Sequence, residues 1–109
     1  MSKYLFIESR DPFESRDTRF VEETAVALKQ AGHEVTVFFV QNGVMPTRSN
    51  ARSSYLACLT RAGVTLLADD FSLAERGIRA EELLPGIQPT GIDSIVTAMI
   101  QENTKAIWH

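Results

Sequence analysis

The sequence has 109 residues, of which 44% are hydrophobic and 23% are charged, and its formal net charge at pH 7 is −3. These values are typical of one globular domain that is large enough to bury a core, and they exclude a disordered chain. Acidic and basic residues are interspersed, and the sequence lacks a basic tract of the kind that would indicate a nucleic-acid-binding protein. We therefore predict a single domain over residues 1–109.

The sequence also favours a reduced, cytoplasmic setting without a membrane partner. Cys58 is the single cysteine, which excludes an intrachain disulfide and a multi-cysteine metal site. No stretch approaches the roughly 18 apolar residues that span a bilayer. The opening "MSKYLFIES" lacks the longer apolar region and cleavage site of a signal peptide.

The first part of the chain alternates strand and helix patterns. "KYLFIE" (3–8) predicts a strand, and apolar residues at helical spacing then predict a helix from about Asp17 to Ala31. Asp17 or Ser15 is expected to cap this helix, and Gly32 to end it. "EVTVFFV" (34–40) predicts a strand buried on both faces.

The rest of the chain continues the alternation. "QNGVMPTRS" predicts an irregular loop, and a second helix is expected from about Ser49 or Asn50 to Ala62. "VTLLA" (64–68) predicts the third strand, followed by a short helix capped by Ser72. The last helix is expected over about 91–102, and "KAIWH" as a final strand. Its expected buried side consists of Ile92, Ile95, Val96, Met99 and Ile100.

This order of elements predicts a three-layer α/β domain with a mostly parallel sheet of four or five strands. Ligands of such sheets bind beyond the carboxyl ends of the strands. The loops Ser9–Arg16, Gln41–Arg48 and Asp69–Ser72 are therefore the candidate site.

Four stretches, in this order, resemble the DsrE family of small α/β proteins, some of which are sulfur-relay subunits. They are the first strand with its loop, "ALKQAGHEVTVFFVQNGV", "LTRAGVTLLADDFSLAERGI" and "GIDSIVTAMIQENTKAIWH". The resemblance implies a five-stranded parallel sheet between helices and assembly as a homotrimer or homohexamer.

One departure from the family concerns its chemistry. Sulfur-carrying members place a cysteine after the third strand, in a pattern like V-x-L-x-x-C-x-x-x-x-x-x-R-G. The matching stretch here is "VTLLADDFSLAERG", in which Asp69 occupies the place of the cysteine. A persulfide carrier needs a sulfur that attacks and leaves as thiolate, and a carboxylate does neither. The resemblance thus implies the fold without the best-known activity.

Asp69, Asp70 and Cys58 are the candidate catalytic residues. Neighbouring residues on an extended segment point to opposite faces, so the two aspartates form a tight acid/base pair only if the backbone turns there. Capping of the following helix or structural pairing is the alternative, and the one we favour. Cys58 is either a relocated sulfur carrier or a side chain engaged in packing or in a subunit contact, and we favour the second, because free cysteine is commonly buried.

The charged and histidine residues leave alternatives open. Arg10, Arg16 and Arg19 would serve an anion site with a helix N-terminus, but ion pairs with the acids of the same loop explain them equally well. His33 and His109 have no further ligands at metal-site spacing, and His33 is interpreted as a loop residue. Several large apolar residues exceed what a small sheet hides, and Trp108 is a candidate for a subunit contact.

These patterns favour an oligomeric DsrE-like protein with a binding or accessory role in sulfur metabolism, without sulfurtransferase activity and without a cofactor or metal. Another sulfur-relay protein is a candidate partner. The alternatives are an enzyme that uses Asp69 or Asp70 on a small anionic substrate, a carrier that uses Cys58, and, from architecture alone, a flavodoxin-like nucleotide or flavin binder. The predicted ligand-binding residues are Ser9, Arg10, Asn42, Gly43, Arg48 and Asp69.

Overall fold

The computed structural model describes residues 2–109 and contains one sheet of five parallel strands in the order β4–β3–β2–β1–β5. The strands are β1 (Lys3–Glu8), β2 (Glu34–Phe39), β3 (Thr65–Asp69), β4 (Gln88–Thr90) and β5 (Thr104–Trp108). The helices are α1 (Thr18–Gln30), α2 (Ser54–Ala62), α3 (Asp70–Glu75) and α4 (Ile92–Met99), with 3₁₀ segments at Gln41–Thr47, Ser49–Ala51 and Ala80–Glu82. The predicted α/β fold with a parallel five-stranded sheet is confirmed.

The strand order explains why the two faces of the sheet are covered unequally. From β1 to β4 the chain always steps in the same direction, so right-handed crossovers bring α1, α2 and α3 to one face. The step from β4 to β5 runs back across the sheet, and α4 lies on the other face. The larger core therefore contains residues of α1, α2 and α3, and the smaller one is covered by Ile95 of α4.

Helix α4 differs from its prediction. Of the five residues expected on its buried side, Ile95 is buried, whereas Ile92, Val96, Met99 and Ile100 are exposed, the last of them by 79%. The reason is that a helix of eight residues places one narrow stripe against the sheet, while this helix is apolar around most of its circumference. Trp108 of the edge strand β5 is also exposed.

Three other elements depart from the sequence-based expectations. Helix α2 begins at Ser54, because Arg52 has a left-handed backbone conformation (φ 52°) that separates it from the preceding 3₁₀ segment. The expected loop after β2 is a 3₁₀ helix that accommodates Pro46. Strand β4 was not predicted, since it has three residues and contains Pro89, which an edge strand tolerates.

Candidate functional site

The carboxyl end of β3 is shaped by Asp69, which is buried and caps helix α3. Its Oδ2 accepts hydrogen bonds from the Ser72 backbone amide at 3.0 Å and the Ser72 hydroxyl at 2.6 Å. A short helix was predicted here with Ser72 as its cap, and the choice of Ser72 was wrong. The helix begins at Asp70, and Asp69 is the cap. An aspartate suits this position because its short side chain reaches the amide three residues ahead.

Ser72 extends this contact to the neighbouring strand end. Its hydroxyl donates to Asp69 and accepts a hydrogen bond from the Gln41 amide at 2.8 Å. We call Asp69, Ser72 and Gln41 the Asp69 cap. Ser72 is 3% exposed and its hydroxyl is engaged both as donor and as acceptor. The Asp69 cap is thus a structural network in which the Ser72 hydroxyl is fully engaged.

The backbone does turn between the two aspartates, but it separates their carboxylates. Asp70 is exposed in the first turn of α3, with its Oδ2 near Gly91, whereas Asp69 points inward to Ser72. The two side chains therefore do not form a hydrogen-bonded acid/base pair.

The other predicted ligand-binding residues each contact a part of the same protein. The Arg10 guanidinium pairs with Asp17 at 2.6 Å, and the Ser9 hydroxyl donates to the His109 carbonyl at 3.0 Å. Asn42 accepts two hydrogen bonds from Arg76, and Arg48 Nε donates to the Met45 carbonyl. A ligand would have to replace these contacts, and the binding role of the residues remains a prediction.

Gly43 connects the ends of β1 and β2. Its backbone lies so close to β1 that a Cβ atom added there would be 2.2 Å from the Glu8 carbonyl oxygen. The Glu8 carbonyl also accepts a hydrogen bond from the Val40 amide. Only glycine permits this approach, which fixes the 3₁₀ segment Gln41–Thr47 against β1.

A buried hydrogen-bonded pair of Glu8 and His109 at the end of β1 was missed by the sequence analysis. Glu8 is fully buried, and its two carboxylate oxygens lie 3.0 and 2.9 Å from Nδ1 of His109. The Arg10 amide donates to the same carboxylate, and the ring of Phe20 packs against the His109 ring. The signal was the alternation of β1, which places Glu8 on the inward face of Tyr4 and Phe6.

Burial raises the pKa of the Glu8 carboxyl, and the hydrogen bond from His109 offsets part of this rise. Burial likewise raises the pKa of the Tyr55 phenol, with the charges of Glu8 and Glu22 adding to the effect. The Tyr55 phenol therefore remains protonated at neutral pH, with an O–H group available to donate a hydrogen bond. Its hydroxyl is buried, and residues 2–109 provide no hydrogen-bond partner for it.

Cys58 lies on the flank of α2, half-buried in a shallow depression. The side chains around it include Glu22 and Glu23, and none of the described residues that line this depression is basic. Arg and Lys neighbours are what usually stabilise a reactive thiolate. The surroundings of Cys58 thus give no support to a relocated carrier thiol.

Neither histidine belongs to a cluster of metal ligands. His33 accepts a hydrogen bond from the Ser2 amide and packs edge-on against Tyr4, in the loop position expected for it. Within residues 2–109, no group of three or more His, Cys, Asp or Glu side chains is arranged to hold a metal ion. In the same part of the chain, no helix combines the length and apolar character needed to cross a membrane.

Comparison with known proteins gives matches at the level of family and fold. The model of the DsrE/DsrF-like family matches residues 2–107. The ychN protein of E. coli has a similar crystal structure, with a TM-score of 0.87 at 15% identity, and each chain covers 100% of the other.

Two proteins of unknown function have the same fold. MTH1491 of Methanobacterium thermoautotrophicum is 21% identical, with a TM-score of 0.80 and full coverage of both chains. BT1422 of Bacteroides thetaiotaomicron is 16% identical, with a TM-score of 0.79, and the match covers 99% of this chain and 95% of that one. No curated protein matches this chain in sequence.

Proposed function

Because this chain belongs to the DsrE/DsrF-like family, we propose that it is a binding or accessory subunit in cytoplasmic sulfur metabolism that does not carry sulfur itself. The observation that supports this proposal is the state of Asp69. It stands where the sulfur-carrying relatives are expected to have their cysteine, and it is buried and bonded to Ser72. A carboxylate cannot attack and leave as a thiolate does, so the chemistry of Asp69 does not suit sulfur transfer.

The experiment is incubation with a small-molecule persulfide donor, followed by mass spectrometry of the intact protein. We expect no stoichiometric sulfur on the wild type or on Cys58→Ser. Asp69→Cys is the matched variant, because it restores the cysteine of the family pattern, and we expect it to acquire sulfur. Stoichiometric sulfur on Cys58 of the wild type would replace the proposal with a relocated carrier.

We further propose that the protein works as a homo-oligomer, in which α4 faces a second copy of the chain. Ile92, Val96, Met99 and Ile100 recur at helical spacing on the exposed side of α4. Trp108 lies on the same face of the sheet as α4, because it is paired in register with Ile7 and Ile7 belongs to the core beneath α4. The family resemblance implies a trimer or hexamer, and a mainly apolar face suits contact between identical chains.

Light scattering coupled to gel filtration tests this assembly. Val96→Glu on the exposed side of α4 is expected to yield monomers, because it would place a charge inside an apolar contact. The matched control is Thr60→Glu, which places the same charge on an exposed residue of α2. Val26→Glu would not serve, because Val26 packs against the core. A wild type that is monomeric, or a Val96→Glu variant that keeps the wild-type mass, would contradict the proposal.

A further inference from the structure

Helices α1 and α2 lie side by side on one face of the sheet, with their N-termini at the edge where the strands end. A cleft of about 510 Å³ opens between these two N-termini. Its lining includes Ser15, Arg16 and Arg19 from the start of α1, and Ser54 and Tyr55 from the start of α2. We call it the α1–α2 cleft.

Two helix ends contribute positive charge to the α1–α2 cleft. Neither N-terminus is capped by a side chain, because the carboxylate of Asp17 is turned to Arg10 and Ser53 makes no capping bond. The backbone amides of Ser54 and Tyr55 donate to no group within residues 2–109. Free amides and the helix dipole make the N-terminus of α2 a binding site for anions, and α1, whose Arg19 amide donates to the Arg16 carbonyl, adds its dipole.

The sequence left open whether the arginines near the first loop form ion pairs or an anion site, and the α1–α2 cleft distinguishes between them. Of the three arginines near the first loop, Arg10 is paired with Asp17, but Arg16 and Arg19 have no carboxylate within ion-pair distance among residues 2–109. Glu22 is the one acidic side chain among the residues that line the cleft, so the lining has an excess of positive charge. Arginine forks bind tetrahedral oxyanions well.

Tyr55 supplies an independent observation that points to a ligand. The residue lines the α1–α2 cleft and is 4% exposed, and its hydroxyl has no hydrogen-bond partner within the described chain. A buried donor without a partner costs about 1–3 kcal/mol. A bound acceptor would remove this cost, and an oxyanion is the kind of acceptor that the arginines and helix ends also select.

We propose that the α1–α2 cleft binds a small tetrahedral oxyanion of the phosphate or sulfate type, held by Arg16, Arg19, the Ser54 and Tyr55 amides and the Tyr55 hydroxyl. This site is distinct from the Asp69 cap and from Cys58, so it does not rest on the proposed role in sulfur metabolism. Loss of either proposal leaves the other in place.

The experiment is an NMR titration of the wild-type protein with sodium phosphate and, separately, with sodium sulfate, at constant ionic strength set by chloride. We expect saturable shifts of the Thr18, Arg19, Ser54 and Tyr55 amides, with a dissociation constant of about 1 mM or lower. The stronger of the two salts identifies the preferred oxyanion. Shifts that do not saturate, or that are equal in chloride alone, would overturn the proposal.

Variants test the named residues. Arg16→Ala and Arg19→Ala are each expected to weaken binding about tenfold, as is Tyr55→Phe, since each removes a hydrogen bond to a charged group. Glu22→Gln is expected to strengthen binding about threefold, because it removes the acidic side chain of the lining. Arg61→Ala is the matched control: it removes an exposed arginine at the opposite end of α2.

The control separates a built site from general attraction. If Arg61→Ala weakens binding as much as Arg19→Ala, the anion responds to net charge alone and the α1–α2 cleft is not a site. If Tyr55→Phe binds as tightly as the wild type while Arg19→Ala does not, the hydroxyl does not contact the ligand and the proposed ligand set is wrong.

Discussion

The ends of β3 and β1 solve the same structural problem in different ways. Both strands end in a buried acid, Asp69 in β3 and Glu8 in β1, and a helix follows each strand, directly after β3 and after the loop 9–17 in the case of β1. Asp69 bonds to the amide and hydroxyl of Ser72 and so caps its own helix. Glu8 leaves the next helix uncapped and pairs instead with His109, from the end of the chain.

This difference shows at which strand end hydrogen-bonding groups remain free to bind a ligand. At the Asp69 cap the Ser72 amide, the Ser72 hydroxyl and the Gln41 amide each have a partner from the chain itself. Beside Glu8, by contrast, the Tyr55 hydroxyl and the first amides of α2 have none within residues 2–109. The loop that the family resemblance marks as the site is therefore the better satisfied of the two. The open donors lie on the other side of β2, in the α1–α2 cleft near the end of β1.

The largest effect is expected from a change that breaks the link between the two strand ends. Gly43→Ala should destabilise the protein by about 3 kcal/mol, because the new methyl group would collide with a backbone oxygen that cannot move aside. Urea unfolding measures the loss. Gly91→Ala is the matched control, since an added Cβ there meets its nearest atom at 3.7 Å, and it should stay within about 0.5 kcal/mol of the wild type.

A wild-type stability for Gly43→Ala would mean that the 3₁₀ segment is free to move away from β1. The ends of β1 and β2 would then move independently, and the contacts at the β1 and β3 ends could not be compared as parts of one rigid edge of the sheet.

The Asp69 cap itself is expected to contribute the next largest effect. Asp69→Ala should cost about 2 kcal/mol, because it removes a helix cap and leaves the Ser72 amide and hydroxyl without their buried acceptor. Asp69→Asn should cost less, since its amide oxygen still accepts. Asp70→Ala tests the exposed neighbour and should cost no more than about 0.5 kcal/mol. Equal losses for Asp69→Ala and Asp70→Ala would contradict the capping role.

The sequence was sufficient for the fold because hydrophobic periodicity reports strands and helices directly. The end of α1 before Gly32 and the end of α2 at Ala62 were predicted in place, and both helices are followed by a glycine in the left-handed conformation. Strand β4 lacked such a signal: three residues with a proline do not alternate long enough to be recognised.

The site was less accessible to sequence reasoning, because its contacts are long-range. Asp69 as a cap follows from local spacing, and that alternative was already the favoured one. The pairing of Glu8 with His109 joins residues 101 positions apart, which no local pattern reports. The exposure of Ile100 and Val96 likewise depends on how much sheet one short helix faces, which the strand order decides.

A pH experiment sharpens the comparison at the β1 end. Since burial raises the pKa of Glu8, the folded state holds its proton more firmly than the unfolded state. The stabilising effect of that proton is fully present below the ordinary value of 4.5 and is lost as pH rises through the raised pKa. Glu8→Gln removes this titration, so it should gain stability relative to the wild type as pH rises, by on the order of 1 kcal/mol.

Urea unfolding at about pH 4 and about pH 8 measures this relative change. Glu34→Gln, which alters an exposed glutamate of β2, should follow the wild-type pH profile. Parallel profiles for Glu8→Gln and the wild type would show that His109 fully compensates for the burial of Glu8.

The smallest effect on stability is expected from a pair of hydroxyl deletions, one at each strand end. Ser72→Ala should cost about 1 kcal/mol, because it leaves the Gln41 amide and Asp69 each short of a partner. Tyr55→Phe keeps the ring against Phe39 and removes a hydroxyl that has no hydrogen-bond partner within residues 2–109. Without added oxyanion the variant should therefore be neutral or slightly stabilised, within about 0.5 kcal/mol. Urea unfolding in chloride gives both values. A loss above about 1 kcal/mol for Tyr55→Phe would show that the hydroxyl serves the fold. A neutral result together with weakened oxyanion binding would show that this donor serves a ligand, as the Ser72 hydroxyl serves the chain.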